Sequence, residues 1–310
     1  MEVRKEEFTF LSSDGVTTIH AKRWVPEGEI KAVLQIAHGM AEYIDRYDAF
    51  ARYLAADGFV VTGNDHLGHG KSITDETKLG FFAKDEGNKK VLSDLHHLYE
   101  MTKEMYPDVP YFFMGHSMGS FLCRQYISEY GNELSGAIIM GTGNQSAFLT
   151  AMGKAVCKMV ALFKGWDKRS GLVDAMAFGS YNKLYGEPGG YEWLSENAEN
   201  VKKYNDDPLC GFGFTLNGYY NMFHSINLLS KDSYIGRMPK ELPVFIVAGE
   251  DDPVGDYGKA PKEVYNKFKE LGMKDVEKKL YYGDRHEILN EDDRETVYED
   301  IREWLDRHTA

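Results

Sequence analysis

The sequence predicts an α/β protein: a mostly parallel central sheet with helices on both faces and an inserted, mainly helical segment above it. Three observations predict this. Short apolar runs alternate with longer helical patterns, the stretch 144–235 breaks that rhythm, and the pentapeptide Gly115-His116-Ser117-Met118-Gly119 follows directly on one of the runs. Strand–helix alternation implies parallel strands joined by crossover helices, and in such sheets reactive groups gather at the carboxyl ends of the strands.

The elements follow in order. Residues 16–24 alternate loosely as a first strand, and 32–37 form an apolar run that ends at His38-Gly39. A helical pattern over 46–56 stops at Asp57-Gly58, where glycine suits the position after the last turn. Residues 59–62 read as a strand, 88–106 as a long helix ending before Pro107, and 111–114 as the strand that enters the pentapeptide. A helix over 121–130 and a buried strand over 137–140 come next, and after the long interval the strands 244–248 and 278–282. Helical patterns over 261–271 and 292–306 complete the alternation.

The interval 144–235 is rich in glycine and aromatics and shows helical patches without clear strands, so it reads as a lid inserted into a core formed by 1–143 and 236–310. The lid holds nine basic and nine acidic residues, so the core carries the whole net charge of −13. Within it, Phe148, Met152, Ala155, Val156, Met159, Val160 and Phe163 share one helical face, with Lys154 and Lys158 opposite. Two readings of that helix stand: packing against the body, or transient contact with acyl chains or a lipid interface.

Composition narrows the function classes. An excess of 49 acidic over 36 basic residues leaves no basic footprint for nucleic-acid phosphates and fits a solvated acidic surface. The first residues, Met1 to Glu7, have neither an apolar core nor a small-residue cleavage site. No apolar run approaches the ~18 residues of a membrane span. Cys123, Cys157 and Cys210 are odd in number and far apart, which fits buried thiols in a reducing compartment. These features together predict a cytoplasmic protein. Neither a Gly-x-Gly-x-x-Gly nor a Walker-type loop is present, so no nucleotide cofactor is expected.

The chemistry-bearing residues fall where the fold needs them. Gly-x-Ser-x-Gly between a strand and a helix describes a sharp turn that projects Ser117 at the mouth of the sheet, beside free N–H groups and the positive end of a helix dipole. A serine hydroxyl needs an adjacent base, usually a histidine oriented by a carboxylate. Downstream, Gly249-Glu250-Asp251-Asp252-Pro253-Val254 follows one strand and Gly283-Asp284-Arg285-His286-Glu287 follows the last. Ser117, an acid and His286 then stand in the chain order nucleophile, acid, base. Asp251 and Asp252 compete for the acid, and the motif spacing selects Asp252. Glu287, Asn290 and Glu291 read as caps of the final helix.

A tetrahedral oxyanion needs backbone donors, each worth about 3 kcal/mol. Met118 N–H, next to the nucleophile, is one, and Met40 N–H, in the loop after 32–37, is the natural second. His38 reads as part of that loop's architecture rather than as a base. Asp65-His66-Leu67-Gly68-His69-Gly70 offers metal-ligand types but lacks a second ligand group, and no metal is expected there.

At this point the chain resembles the monoacylglycerol lipase and lysophospholipase branch of the α/β-hydrolases, also called serine aminopeptidase-like hydrolases, in its bacterial form. The resemblance runs through His38-Gly39-Met40-Ala41-Glu42, Arg46-Tyr47, 65–72, 115–120, 249–254 and 285–291. It implies an α/β-hydrolase fold with Ser117 as nucleophile, Asp252 as acid, His286 as base, Met40 and Met118 as oxyanion hole, and Gly68-His69-Gly70 as a structural turn. It also implies hydrolysis of carboxylic esters of small acyl substrates, monoacylglycerols or lysophospholipids, through an acyl-serine intermediate and without a cofactor. The alternatives are a short-chain esterase or amidase with a polar pocket, and a non-catalytic binding protein on the same fold.

Overall fold

Apolar runs bounded by turn residues become eight strands of a single sheet. The computed structural model describes residues 3–187 and 189–309, so Met1, Glu2, Pro188 and Ala310 lie outside the described residues. In chain order the elements of the first half are β1 (Val3–Leu11), β2 (Thr18–Pro26), β3 (Ala32–Ala37), α1 (Asp48–Ala56), β4 (Phe59–Asn64), α2 (Gly87–Met105), β5 (Tyr111–His116), α3 (Met118–Glu129) and β6 (Gly136–Met140). Then come α4 (Ala147–Lys164), α5 (Gly171–Phe178), α6 (Ala198–Asp206), α7 (Leu216–Leu229), α8 (Asp232–Ile235), β7 (Val244–Gly249), α9 (Lys259–Glu270), β8 (Val276–Tyr281) and α10 (Arg294–Arg307).

The spatial order is β1-β2-β4-β3-β5-β6-β7-β8. β1 and β2 run antiparallel, β2 joins β4 antiparallel, and every other neighbouring pair is parallel. The central strands bury both faces, which is why they read as continuous apolar runs. Phe112 and Phe113 show it: one packs edge-on to Trp304 of α10, the other stacks on Tyr126 of α3, and both are fully buried. Burial of each contributes about 1.5–3 kcal/mol. Side chains of α1 and α10 fill the core on one face, and those of α2, α3 and α9 fill it on the other.

Two expectations need correction. The hairpin strand β1 was not expected, because Val-Arg-Lys-Glu-Glu carries charges on both faces of an edge strand. The helix expected over 46–56 is a 3-10 turn, Ile44–Tyr47, followed by α1.

Between β6 and β7 the chain folds as helices and short turns. α4 packs on α7 through its small residues, burying Thr150, Gly153, Cys157 and Ala161. A Cβ at Gly153 would come within 2.9 Å of Phe223, so the close approach requires glycine. The apolar stripe read from the sequence is split: Val156 and Val160 are half-buried, whereas Phe148, Met159, Leu162 and Phe163 face outward. Lys154 and Lys158 lie over the Tyr220 ring of α7, 5.4 and 5.5 Å from its centroid. Among the described residues no helix is long and apolar enough to cross a membrane.

Candidate active site

β5 turns into α3 with a single residue between them, and that residue is Ser117, at φ 54° and ψ −119°. A left-handed φ at a non-glycine residue stores strain that the surrounding structure must hold. The flanking glycines make the turn possible: a Cβ at Gly115 would sit 2.0 Å from the Gly119 carbonyl oxygen, and one at Gly119 would sit 2.0 Å from the Ala37 oxygen. Ser117 N–H donates to the Met140 carbonyl at 3.0 Å, which ties the elbow to the end of β6.

The loop after β3 runs beside the serine. A Cβ at Gly39 would come 3.1 Å from the Ser117 Cβ, and Gly39 N–H donates to Glu42 Oε1 at 2.6 Å. Neither Met40 N–H nor Met118 N–H is taken by an acceptor among the described residues. Met118 is the first residue of α3, where the dipole favours negative charge.

His286 and Asp252 meet from the loops after β8 and β7. His286 Nδ1–H donates to Asp252 Oδ2 at 2.9 Å, with His286 at 2% and Asp252 at 0% exposure. The second Asp252 oxygen accepts Val254 N–H at 2.8 Å. Asp251 is exposed, and its N–H donates to the Asp284 carbonyl at 2.9 Å, so of the two competing aspartates it is Asp252 that faces the histidine. Ser117 and His286 line one cavity together with Met40 and Met118. The Ser117 hydroxyl makes no hydrogen bond to His286 here; such contacts are often loose until substrate binds.

A buried ionic network that sequence reasoning missed surrounds this pair. Arg46 grips Glu287 with both guanidinium nitrogens, at 2.6 and 2.8 Å, and donates to Glu42 Oε2 at 3.0 Å. Glu42 Oε1 also accepts from the Tyr47 hydroxyl at 2.9 Å and faces His116 Nδ1 at 3.3 Å. His116 Nε2 lies 3.2 Å from the His286 carbonyl oxygen. Burial opposes a charge on His116, but the Glu42 carboxylate outweighs it and raises its pKa. Burial likewise works against the Glu42 charge, and His116 and Arg46 together hold that carboxyl far below the usual range.

Glu287, Asn290 and Glu291, expected to cap the last helix, do not. Glu287 takes Arg46 and Asn200 Nδ2, the latter at 2.7 Å, and Asn290 Nδ2 donates back to Glu287 at 3.2 Å. Glu291 accepts the Ser195 hydroxyl at 2.6 Å and the N–H groups of Glu196 and Asn197 at 2.9 and 3.3 Å. α10 starts beyond them at Arg294 without a side-chain cap. Asn200 and Ser195, the partners of Glu287 and Glu291, are 87 and 96 positions away, which no local pattern reveals.

His38, His66 and His69 form a buried group beside the loop. His38 Nε2 accepts His66 N–H at 3.0 Å, and His66 Nε2–H donates to the His38 carbonyl at 3.1 Å. Burial pushes all three pKa values down, that of His69 to about 3. A Cβ at Gly68 would strike the Phe81 carbonyl at 2.3 Å, and Gly68 has φ +76°, so glycine is required in this tight turn.

The cavity over Ser117 measures about 670 Å³. Its apolar wall includes Met118, Phe121, Met152, Met222, Phe223 and Ile226, and its polar groups include Gln145, Asn182, Tyr181 and Asp174. No lysine or arginine is among the described residues that line it.

Comparison with known proteins places this arrangement in a family. The profile of the family described as serine aminopeptidase, S33 (Hydrolase_4) matches residues 28–293. The chain is 26% identical to the monoglyceride lipase of Mus musculus, over 97% of this chain and 90% of that protein. It is 24% identical to the monoacylglycerol lipase of Mycolicibacterium smegmatis, over 98% of both. In structure it is similar to a thermostable carboxyl esterase from Bacillus coagulans solved with glycerol, with a TM-score of 0.90, 29% identity and 99% of both chains covered. Sheet order, elbow and profile agree: the chain belongs to the serine aminopeptidase S33 family of α/β-hydrolases.

Proposed function

We propose that this chain is a serine hydrolase that cleaves monoacylglycerols, with Ser117 as nucleophile, His286 as base and Asp252 as its orienting acid. His286 Nε2 takes the Ser117 Oγ proton as Oγ bonds to the ester carbonyl carbon. The carbonyl electron pair moves onto oxygen, where the Met40 and Met118 N–H groups stabilise it. Collapse breaks the bond to the alcohol, which leaves with the proton from His286. Water then repeats the sequence on the acyl-serine.

The observation that carries this reading is the Asp252–His286 pair, which opens with Ser117 onto a largely apolar cavity. A volume of about 670 Å³ lies in the range that encloses a small organic ligand. The absence of lysine and arginine from the described lining favours a neutral acylglycerol over a lysophospholipid, whose phosphate would lose its water without gaining a cation. Glycerol, bound in the Bacillus coagulans structure, is the alcohol that such a reaction releases.

Two assays test the substrate. Rates on p-nitrophenyl esters from acetyl to palmitoyl should peak at eight carbons or longer, and rates on 1-oleoylglycerol should exceed those on lysophosphatidylcholine by about tenfold or more. Activity confined to acetyl esters would favour the short-chain esterase reading. Equal rates on the two lipids would overturn the preference for neutral substrates.

The stretch 144–235 is proposed to act as the lid of this cavity, since α4 and α5 supply part of its wall. Its outward residues Phe148, Leu162 and Phe163, exposed by 74, 84 and 87%, suit transient contact with a lipid interface. Leu162→Ser with Phe163→Ser should at least halve co-sedimentation with phosphatidylglycerol vesicles and leave hydrolysis of a soluble ester unchanged. Unaltered co-sedimentation would remove that role. The proposed location is the cytoplasm, on the grounds of free buried cysteines.

A further inference from the structure

Trp193 comes from the stretch between β6 and β7, in the 3-10 turn Glu192–Leu194, yet it lies against His286. The ring centroids are 5.2 Å apart with the planes at 44°, and Trp193 is 8% exposed. The Trp193 backbone N–H donates to Asn182 Oδ1 at 3.0 Å, and the ring of Tyr181 packs 5.1 Å from the indole. The turn is bolted to the histidine loop. Glu287 N–H donates to the Leu194 carbonyl at 2.8 Å, and Arg285 Nη1 donates to the Glu192 and Ser195 carbonyls at 2.8 and 3.1 Å. Trp193 therefore keeps its place relative to His286 if other parts of the stretch move.

The remaining neighbours of His286 define what this ring can do. Asp252 holds Nδ1 from the β7 side, and from the end of β5 the His116 ring lies 4.7 Å away. Glu287, the next residue, turns its carboxylate to Arg46, and burial, with the Asp252 charge, raises the pKa of the Tyr181 hydroxyl. A cation over the face of an indole, within about 6 Å of its centroid, is attracted to the ring's quadrupole, most strongly where water is excluded, whereas the ring edge repels it.

We propose that the Trp193 ring stabilises the imidazolium that His286 becomes when it takes the Ser117 proton, so that the inserted stretch supplies part of the proton-transfer machinery as well as a wall of the cavity. Trp193 is thus a positioning and electrostatic partner of the base. The proposal rests on the reading of Ser117 and His286 as nucleophile and base.

The test is the pH profile of kcat/KM on p-nitrophenyl octanoate for the wild type, Trp193→Phe and Trp193→Leu. Trp193→Leu should lower the plateau about tenfold, mainly through kcat, and move the acid limb towards lower pH by up to about one unit, because the imidazolium loses its support. Trp193→Phe keeps a π face and should recover most of both. An unchanged plateau in Trp193→Leu overturns the proposal. So does a lower plateau whose acid limb stays put or moves to higher pH, the result expected of a packing plug whose loss admits water.

A second measurement does not depend on turnover. Emission of the wild type minus that of Trp193→Phe should titrate across the acid limb, and this titration should vanish in His286→Asn. The subtraction removes Trp304, whose ring lies 4.4 Å from His308. A flat difference overturns the proposal. Ser117→Ala separates the two levels: if it retains activity, the underlying reading fails, whereas an inactive Ser117→Ala beside an unaffected Trp193→Leu sinks this inference alone.

Discussion

Ser117→Ala is expected to lower kcat on p-nitrophenyl octanoate by about 10⁵-fold or more, leaving the residual rate that oxyanion donors and binding alone provide. The effect should be confined to chemistry. Among the described residues the Ser117 Oγ makes no hydrogen bond that supports the elbow, whose shape is held by the glycines and by Ser117 N–H on Met140. Thermal unfolding of the variant should therefore match the wild type within about 1 °C. His286→Ala should cost about as much, and the double variant no more than either single one, because the two groups act as a unit. Multiplying losses in the double variant would mean that the two residues serve separate steps.

Arg46→Ala is expected to bring the largest loss of stability of any single change around the site. Arg46 stands between Glu42 and Glu287, both almost fully buried, and satisfies both. Its removal leaves the buried Glu287 carboxylate without a cation and Glu42 with His116 alone, and breaking a buried ion pair in this way costs about 3–5 kcal/mol. The urea midpoint should fall accordingly. Arg46→Lys should rescue it only partly, since an ammonium cannot reproduce the two-pronged grip on Glu287. Activity should fall too, by about a hundredfold, because Glu42 holds Gly39 N–H in the loop that presents Met40, and Glu287 follows His286 directly. An unchanged urea midpoint would show that the clamp adds nothing to the folded state.

Particular residues show what the sequence made legible. The central strands were readable because burial on both faces leaves an uninterrupted apolar run, as in Ala32–Ala37, whose bounds agree with the expectation. β1 escaped because an edge strand exposed on both faces carries Lys5, Glu6 and Glu7, which have no apolar periodicity. The residues around Ser117, Asp252 and His286 were legible because each lies in a short motif just after a strand, where an α/β sheet gathers its reactive groups. Arg46–Glu287, Glu291–Ser195 and Trp193–His286 were not legible, because each joins segments that meet only in three dimensions. Glu287 and Glu291 looked like caps since acids before a helix usually are. The packing of α4 was obscured for a different reason: its contact with α7 uses Gly153, Cys157 and Ala161, small residues that a hydrophobic pattern underweights against Phe148 and Phe163.

The acyl-serine mechanism meets its most direct test in covalent labelling. The protein would be incubated with a fluorophosphonate, its intact mass measured and the modified peptide located. One adduct per chain on the peptide containing Ser117 is expected, absent from Ser117→Ala and formed far more slowly by His286→Ala. No adduct, or a single adduct on another residue with the same loss of activity, would contradict Ser117 as the nucleophile and with it the proposed function.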